Sequence, residues 1–465
     1  MNRHTKIIAT LGPASQDKAT LVALVKAGMN TARLNCSHGN YEQFKGMVDK
    51  LREIEGESGK TILTLLDLQG PKIRLGEIAP EGILIKRGEL VTFWTGKTVN
   101  KGRIPIPYAP LTRILKAGQP LLIEDGLIRT KILSIKGEDI RAKVEVGGLL
   151  KRHKGVNIPD SALPSSETLS KKDHADLRMG VLKLKVDAVA LSFVEKAEDI
   201  LRVQKLIARW TKRPVFLVAK IERPKALKNL REIAAAADGL MVARGDLGIE
   251  IPGEQVPVEQ RRILAMGREL GKPVIVATQV LESMTNSPLP TRAEMSDAAT
   301  AVFEQADGFM LSNESAVGKY PIKAVQTLAR VAESTEAAIN DYQWTQPIAL
   351  TPTKDWMHDH HMAKEAIELA NDIGAKALIL GTHHGYTARA ALRMRPSLPV
   401  FIVTPYQETA RLLHLHWGVE KILVHKGPLR SDEVKAFLKK TKTVKGTVVY
   451  LGLQGENRSL VVMGI

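Results

Sequence analysis

Short runs of apolar residues alternate with segments of helical periodicity along most of the chain, and this alternation restricts the possible folds more than any other feature. The segments between the runs, such as 198–208, 225–236 and 261–270, place apolar residues three and four positions apart. Nearly continuous apolar strands that alternate with helices are typical of a parallel sheet covered on both faces. Eight strand–helix units predict an α/β fold, a closed (β/α)8 TIM barrel. The eight runs lie at residues 7–11, 30–34, 62–66, 187–191, 215–221, 239–243, 273–277 and 308–311.

Two stretches interrupt this alternation. The first is rich in Gly and Pro and has short strand patterns at 83–86, 90–94, 121–124, 127–135 and 140–146, which predict an inserted all-β module. The second begins near residue 351 and predicts a helix at 363–373 and strands at 377–380, 400–403, 422–424, 448–451 and 460–462. We therefore predict three domains: a barrel from 1–70 and 156–345, an insertion at 71–155, and a C-terminal α/β domain at 346–465.

The composition is that of a globular protein. Of 465 residues, 44% are hydrophobic and 25% charged, which excludes disorder and a coiled coil. No apolar run approaches the roughly 20 residues of a membrane span, and the apolar stretch near the N-terminus is too short for a secretory signal. Cys36 is the only cysteine, so no internal disulfide can form. We expect a soluble, cytoplasmic protein that contacts no membrane.

The net charge of +17 has two interpretations, because a basic protein can bind nucleic acid or attract small anionic substrates. Aromatic residues make up only 4% of the chain, and the sequence has neither a Cys/His finger pattern nor an aromatic-rich strand motif. We therefore expect no nucleic-acid partner.

Polar residues follow nearly every predicted barrel strand. The carboxyl ends of barrel strands meet at one face, where barrel enzymes have their active sites. The alternative, that each residue only caps the next helix, suits Ser192 or Ser312 alone but not the pair Lys220 and Glu222. The strand-end residues are Thr10, Asn35, Asp67, Ser192, Lys220 with Glu222, Asp246, Thr278 and Ser312.

Lys220 and Glu222 point the same way from their strand, because side chains alternate along a strand. The next strand ends in Ala243-Arg244-Gly245-Asp246, which adds a second carboxylate. Two carboxylates with water and phosphate oxygens form the oxygen-rich shell that Mg²⁺ prefers. An ordinary salt bridge among these groups is the alternative.

Arg33, Asn35 and Ser37 alternate in the same way within Arg33–Gly39 and suit an anion and an oxygen-liganded ion. The chain has no GxxxxGK[ST] loop, so separate basic groups must hold any nucleotide.

Nine segments resemble pyruvate kinase and occur in that family's order. They are RLNCSHG, LLDLQGPKIRLG, KGVNIP, VALSFV, KIE, ARGDLGIEIP, ATQVLESM, PTRAEMSDAA and LSNESAVGKYP. The resemblance covers essentially the whole chain. It implies a barrel with an inserted β-barrel lid after strand three and a C-terminal α/β regulatory domain. It also implies phosphoryl transfer from phosphoenolpyruvate to ADP, which gives pyruvate and ATP.

The resemblance assigns roles at the strand ends. Lys220 is expected to stabilise charge on the transferring phosphoryl group, and Glu222 and Asp246 to hold Mg²⁺ or Mn²⁺. Thr278 is expected to touch the substrate and help protonate the enolate, with Gly245 and Asp246 at the substrate carboxylate. The remaining expectations are Ser192 and Arg33 at the substrate and Asn35, His38, Arg74 and Lys154 at the nucleotide.

One segment departs from the commonest family pattern. Many relatives hold K⁺ with equivalents of Asn35, Ser37 and Asp67 and with a Thr where this chain has Leu68; they also have Glu at the position of Lys72. This chain therefore resembles the subset that needs no monovalent cation. The Lys72 ammonium can supply the positive charge instead, unless it faces solvent.

The C-terminal domain carries a loop between a strand and a helix that resembles the family's effector loop. Backbone N–H groups at a helix start suit a phosphate, so we predict an effector site there. An ordinary turn at a subunit contact is the alternative. The loop residues are Thr382, His383, His384, Gly385, Tyr386 and Thr387, and the histidines and the tyrosine depart from the hydroxyl-rich family form.

Two other functions remain as alternatives: a catalytically silent binding protein, and another barrel enzyme that uses phosphoenolpyruvate or a 2-oxoacid with Mg²⁺. The intact Lys220, Glu222, Asp246 and Thr278 argue against the first, and Lys72 with the nucleotide-side residues against the second. The resemblance also implies a homotetramer.

Overall fold

A closed barrel of eight parallel strands forms the centre of the computed structural model, which describes residues 3–124, 126–159, 169–342, 350, 357–454 and 457–465. Its strands are short apolar runs that are almost wholly buried, as the alternation predicts. They are β1 (Lys6–Thr10), β2 (Thr31–Asn35), β3 (Leu63–Asp67), β12 (Ala188–Leu191), β13 (Phe216–Ile221), β14 (Gly239–Ala243), β15 (Val274–Ala277) and β16 (Gly308–Leu311), and β16 pairs with β1 to close the ring. The predicted fold class is confirmed.

Helices alternate with the barrel strands; the longer ones cover the outside of the barrel, whereas the helix Arg244–Glu250 lies at its mouth. The helices are α1 (Lys18–Ala27), α2 (Tyr41–Ser58), α4 (Lys171–Arg178), α5 (Ala197–Trp210), α6 (Pro224–Lys228), α7 (Leu230–Ala236), α8 (Arg244–Glu250), α9 (Val256–Glu269), α10 (Arg292–Phe303), α11 (Asn313–Ala316) and α12 (Pro321–Tyr342). Among the described residues, no helix is long and apolar enough to cross a membrane.

Helix α10 shows how a sequence motif sets local structure. Thr291 Oγ1 accepts the N–H of Glu294 at 3.2 Å, and Glu294 Oε2 accepts the N–H of Thr291 at 2.7 Å. This reciprocal pair is a capping box. The same carboxylate accepts the backbone N–H and the hydroxyl of Ser283 at 2.8 and 2.5 Å. The segments ATQVLESM and PTRAEMSD are therefore joined through one side chain.

The insertion lies between β3 and β12. Its strands form a six-stranded and a two-stranded sheet around one apolar core that includes Phe93, Ile123 and Ile140. Its elements are β4 (Ile83–Ile85), β5 (Leu90–Trp94), β6 (Ile104–Pro105), α3 (Leu111–Ile114), β7 (Pro120–Ile123), β8 (Ile128–Lys136), β9 (Asp139–Val146), β10 (Gly148–Leu150) and β11 (Val156–Asn157).

The C-terminal part is an α/β unit with a five-stranded sheet in the order β19-β18-β17-β20-β21, in which only β21 is antiparallel to its neighbour. Its elements are α13 (Met357–Asp372), β17 (Leu378–Gly381), α14 (Tyr386–Leu392), β18 (Val400–Thr404), α15 (Gln407–Leu413), β19 (Val419–Val424), α16 (Ser431–Thr441), β20 (Thr447–Gln454) and β21 (Asn457–Gly464).

This unit packs on the base of the barrel, at the amino ends of the strands. Leu415 belongs to the apolar cluster inside the barrel, together with Ile8 and Phe216. Arg395 Nη1 lies 3.0 Å from Asp307 Oδ1, just before β16. The base is thus closed by side chains of the C-terminal part, while the carboxyl ends of the strands stay open.

Candidate active site

A cavity of about 210 Å³ lies at the carboxyl ends of the barrel strands. Its lining gathers most of the residues predicted from the strand ends and from the family resemblance. These are Arg33, Asn35, Ser37, His38, Asp67, Lys72, Arg74, Ser192, Lys220, Glu222 and Asp246. A larger neighbouring cavity of about 620 Å³ shares Lys72 and Asp246 and is also lined by Arg244 and Gly245. We call the two together the barrel-mouth cavity.

Lys220 occupies the centre of this site and is 8% exposed. Its Nζ lies 2.8 Å from Glu222 Oε1 and 3.4 Å from Asp67 Oδ1, and it donates to Ser192 Oγ at 2.7 Å. Burial alone would lower the pKa of Lys220, but the carboxylates of Asp67, Glu222 and Asp246 outweigh that effect and raise this pKa above its ordinary value. The ammonium is therefore charged at neutral pH.

Arg33 is fixed beside Lys220 by two neighbouring strands. Its Nε donates to Asp67 Oδ2 at 2.8 Å, and its Nη1 donates to Thr10 Oγ1 at 2.9 Å. Burial would raise the pKa of Asp67, but Lys220 and Arg33 outweigh it and hold that pKa below its usual range. Two cations are thus oriented around one ionised carboxylate.

Glu222 and Asp246 fit a divalent cation that keeps part of its water shell. Glu222 is 1% exposed, its Oε2 accepts the N–H of Phe193 at 2.7 Å, and its Oε1 pairs with the Lys220 ammonium at 2.8 Å. Within the described ranges, no three His, Cys, Asp or Glu side chains are grouped to hold a metal. Two carboxylates suffice for Mg²⁺ because that ion commonly takes its other ligands from water and phosphate.

Lys72 faces the cavity rather than the solvent. Its Nζ lies 3.7 Å from Asp246 Oδ1, and its side chain is 24% exposed. A lysine charge therefore stands beside the predicted metal ligand. Leu68, four residues earlier, is 1% exposed and offers no oxygen ligand from its side chain.

Gly245 lies in the first turn of helix α8 and contacts Thr278, which follows β15; Thr278 is not among the lining residues of either cavity. Thr278 Oγ1 accepts the N–H of Gly245 at 2.7 Å and donates to Ala277 O at 2.6 Å. The backbone of Thr278 has a φ of 66°, a left-handed conformation that is uncommon for a β-branched residue. Such strain at a barrel mouth persists only where the surrounding structure enforces it.

The predicted nucleotide residues do not all lie together. Asn35 Oδ1 accepts the N–H of Ser37 at 3.1 Å in the loop after β2, and His38 follows in the same loop. Arg74 also lines the cavity, and its Nη1 donates to His153 O at 2.9 Å. Lys154 does not line it, and its Nζ pairs with Glu124 Oε1 of the insertion at 2.5 Å.

The structure adds one residue whose role the sequence did not single out. Arg244 donates to the carbonyl oxygens of Thr278 and Gln279, at 3.0 and 2.7 Å, and to Asp297 Oδ2 at 2.6 Å. These hydrogen bonds hold the backbone at Thr278 in position. The sequence places Arg244 between two predicted site residues, but its partners lie 34 or more positions away.

The predicted effector loop lies far along the chain, between β17 and α14. Gly385 has a φ of 86°, and its N–H donates to Thr382 Oγ1 at 2.9 Å. The ring of His384 stacks on Tyr406, with centroids 5.8 Å apart. His383 packs near both rings, and burial followed by the charge of His384 lowers the pKa of His383.

The two remaining members of the loop make different contacts. Thr387 Oγ1 donates to Asp359 Oδ1 at 3.1 Å and accepts from Arg458 at 2.7 Å. Tyr386 is 52% exposed. The loop therefore presents aromatic rings to solvent, whereas its threonine hydroxyls face protein groups.

Comparison with known families gives matches to two parts of the chain. The model described as "Pyruvate kinase, barrel domain" matches residues 2–325, and "Pyruvate kinase, alpha/beta domain" matches residues 360–464. A crystal structure of a pyruvate kinase from Cryptosporidium parvum is similar in fold, with a TM-score of 0.89 and 31% identity. That likeness covers 99% of this chain and 96% of the other.

Curated bacterial proteins are similar over nearly the same length. A pyruvate kinase of Agrobacterium vitis is 40% identical over 466 residues, which covers 99% of this chain and 95% of that protein. A pyruvate kinase of Methylorubrum extorquens is 40% identical and covers 91% and 87%. One from Mycobacterium tuberculosis is 38% identical and covers 97% and 95%.

Proposed function

Since the chain belongs to the pyruvate kinase family and is a phosphotransferase that moves a phosphoryl group from phosphoenolpyruvate to ADP, we propose that the barrel-mouth cavity carries out this transfer. The observation that carries the proposal is the charged Lys220 ammonium, which is buried within 3.4 Å of Asp67 and Glu222. Phosphoryl transfer depends on positioning and on neutralisation of charge at the moving group. A buried, oriented cation supplies that neutralisation without reorganisation.

Arg33 and Lys220 hold the phosphoryl end of the substrate in this proposal. The phosphoryl group leaves the enolate oxygen for a β-phosphate oxygen of ADP, and both cations offset the charge that develops. Ser192 orients Lys220 through their 2.7 Å hydrogen bond. The enolate carbon then takes a proton that Thr278 helps to deliver, and the backbone at Gly245 and Asp246 binds the substrate carboxylate.

Glu222 and Asp246 would hold Mg²⁺ or Mn²⁺ with water and substrate oxygens. A bound divalent ion supplies further neutralisation of the phosphate and carboxylate oxygens. The support is the shared position of the two carboxylates in the lining of the cavity.

Asn35, His38 and Arg74 would contact the nucleotide; the support is their shared position in the lining of the cavity. Lys154 would reach a nucleotide phosphate only after its ion pair with Glu124 opens. We propose that ADP phosphate competes with Glu124 for this ammonium.

Lys72 would replace the monovalent cation that the equivalents of Asn35, Ser37 and Asp67 hold in many relatives. Its position 3.7 Å from Asp246 supports this exchange, because a fixed ammonium there supplies the same charge. The enzyme is then expected to need Mg²⁺ but not K⁺.

A pyruvate-release assay with phosphoenolpyruvate, ADP and Mg²⁺ tests the reaction and the cation requirement together. We expect robust turnover in a buffer free of K⁺ and NH₄⁺. A large activation on addition of KCl, but not of NaCl, would contradict the role of Lys72 while leaving the reaction assignment intact. No turnover in either buffer would favour a silent binding protein.

The loop 382–387 would bind a phosphorylated effector. The aromatic platform of His384 and Tyr406 supports a ligand that carries a ring beside its phosphate. Phosphoenolpyruvate saturation curves measured with sugar phosphates and with nucleoside monophosphates test this proposal. Identical curves across all of these compounds would reject it.

A homotetramer is the proposed assembly. Exposed apolar side chains support contacts on two faces. Leu289, just before the PTRAEMSD segment, and Met295, within it, are 70% and 38% exposed. Val462 on the edge strand β21 is 49% exposed. Light scattering tests the proposal, and a monomer at micromolar concentration would contradict it.

A further inference from the structure

A second cavity lies at the base of the barrel, on the side opposite the barrel-mouth cavity. It has a volume of about 220 Å³ and lies between the residues that precede β12 and β13 and the start of helix α15 of the C-terminal part. Six charged residues line it, and none of them has a part in the proposed transfer: Arg52, Lys185, Asp187, Arg213, Glu408 and Arg411. We call it the seam cavity.

Two of its four cations are already paired. Arg411 Nε lies 2.6 Å from Asp187 Oδ1, and Arg411 Nη1 lies 3.0 Å from Glu55 Oε1. Arg52 contacts the other oxygens of the same two carboxylates, at 3.0 Å from Asp187 and 2.8 Å from Glu55. Two arginines thus balance two carboxylates, and this group contributes little net charge.

The other two cations lack such partners. The guanidinium of Arg213 makes only long hydrogen bonds, 3.5 Å to Pro214 O and 3.4 Å to Val181 O, and no ion pair with a carboxylate of the described residues. Lys185 also makes no ion pair within those ranges. Glu408 is the only further carboxylate in the lining, and it is exposed.

Arg213 is half-buried, and burial lowers its pKa. The nearby charges of Asp187 and Glu408 oppose this shift, but those of Arg411 and Arg52 add to it, and the pKa stays below its ordinary value. A guanidinium withdrawn from water without a counter-ion costs free energy. A doubly charged anion in the cavity would offset that cost, and the planar fork of arginine matches two oxygens of a phosphate.

We propose that the seam cavity is a binding site for a phosphate or phosphomonoester group, with Arg213 and Lys185 as its charge partners. The ligand would connect the barrel to the C-terminal part, because Arg213 and Lys185 precede barrel strands whereas Arg411 belongs to helix α15. Thr409 of the same helix donates to His383 O at 2.8 Å. A ligand in the seam cavity would therefore also affect the loop 382–387 through this hydrogen bond.

The test measures stabilisation of the full chain by inorganic phosphate. The thermal unfolding midpoint is recorded against sodium phosphate concentration, with NaCl added to keep the ionic strength constant. We expect R213Q and K185Q each to need about tenfold more phosphate for the same stabilisation as the unaltered protein, because each loses a charge-assisted contact. The matched control is K212Q, which removes an adjacent exposed charge outside the lining.

These variants leave the barrel-mouth cavity and the loop 382–387 intact, so phosphate bound there contributes equally to every curve. An unchanged phosphate response in R213Q and K185Q would overturn the proposal. An equal loss in K212Q would also overturn it, since the effect would then be general attraction to a basic surface. If R213Q does not fold, K185Q decides alone, because Lys185 is exposed. Pyruvate release in the absence of phosphate should be unchanged in both variants, which separates this proposal from the proposed function.

Discussion

Lys220 keeps its charge in a place where burial alone would remove it. The carboxylates that hold it also position it, so a neutral side chain of similar size should fill the space without neutralising the phosphoryl group. We predict that the kcat of K220M is about a hundredfold to a thousandfold lower than that of the unaltered enzyme. This is the usual cost of removing one preorganised charge-stabilising group. The pyruvate-release assay measures this.

The control for this variant is K225M. Lys225 pairs with Glu195 at 2.9 Å, is 44% exposed and does not line the barrel-mouth cavity. Its loss should leave kcat within about twofold of the unaltered enzyme, as for other exposed ion pairs. Near-normal turnover of K220M would remove Lys220 from the mechanism.

Lys72 allows a sharper test of the cation requirement than the unaltered enzyme does. In K72E, a carboxylate takes the place of the ammonium near Asp246, so the local positive charge is replaced by a negative one. We predict that K72E has little activity without K⁺ and recovers at least about tenfold on addition of KCl, because a monovalent cation then restores the charge. Tetramethylammonium chloride at equal ionic strength is the control. Equal activity of K72E in both salts would contradict this role.

Individual elements were predictable where burial alone determines them. The first barrel strand is predicted at 7–11 and observed at Lys6–Thr10, because an apolar run enclosed on both faces leaves little freedom. Strands β6 and β11 were not predicted, because each is only two residues long and so short a segment shows no periodicity. Lys220 and Glu222 were placed together correctly by strand alternation. The pairing of Lys154 with Glu124 was not predictable, because it depends on how two segments of the insertion meet.

A series of buried polar contacts attaches the insertion to the barrel. Asn157 on β11 donates to Glu250 Oε1 at the end of α8, at 3.4 Å, and Glu250 Oε2 lies 3.7 Å from Arg223 Nε. Arg223 in turn pairs with Glu195 at 2.8 Å. A buried polar chain thus runs from the connection of the insertion to the loop that follows the predicted metal ligand Glu222.

We predict that N157A loosens this connection, because it removes the side-chain hydrogen bond between β11 and α8. Backbone amides at the connection, such as the N–H of Val156 that donates to Ile73 O, should exchange about fivefold to tenfold faster, as expected from the loss of one hydrogen bond. Hydrogen exchange measured by mass spectrometry checks this. The control N100A lies in a turn of the insertion, and equal acceleration in both variants would count against the link.

At the scale of the whole molecule, the order of the three parts follows from sequence pattern, but their packing does not. The contacts that join the C-terminal part to the barrel base link residues such as Arg411 and Asp187, which are 224 positions apart. No local periodicity signals such a pair. Sequence pattern and the family resemblance agree on the architecture, whereas the charge pairs that hold it together became visible only in three dimensions.

Asp187 makes the stability of this packing dependent on pH. Burial would raise the pKa of its carboxyl group, but the hydrogen bond and charge of Arg411, with Arg52, outweigh it and hold this pKa below its usual value. A carboxyl group with a lowered pKa in the folded state stabilises the protein above its unfolded pKa, about 3.9. That contribution is lost as the pH falls through the lower folded value.

We therefore predict that D187N lowers the free energy of unfolding at pH 7 by about 3 kcal/mol, the cost of breaking a buried ion pair from one side. The difference between D187N and the unaltered protein should stay constant down to about pH 4 and shrink below it, because protonation then removes the same charge from the unaltered protein. Urea unfolding at a series of pH values measures both. D49N is the control, since Asp49 pairs with Lys45 on an exposed helix face and should change neither quantity. A difference that grows on acidification would mean that Asp187 is not held ionised by Arg411.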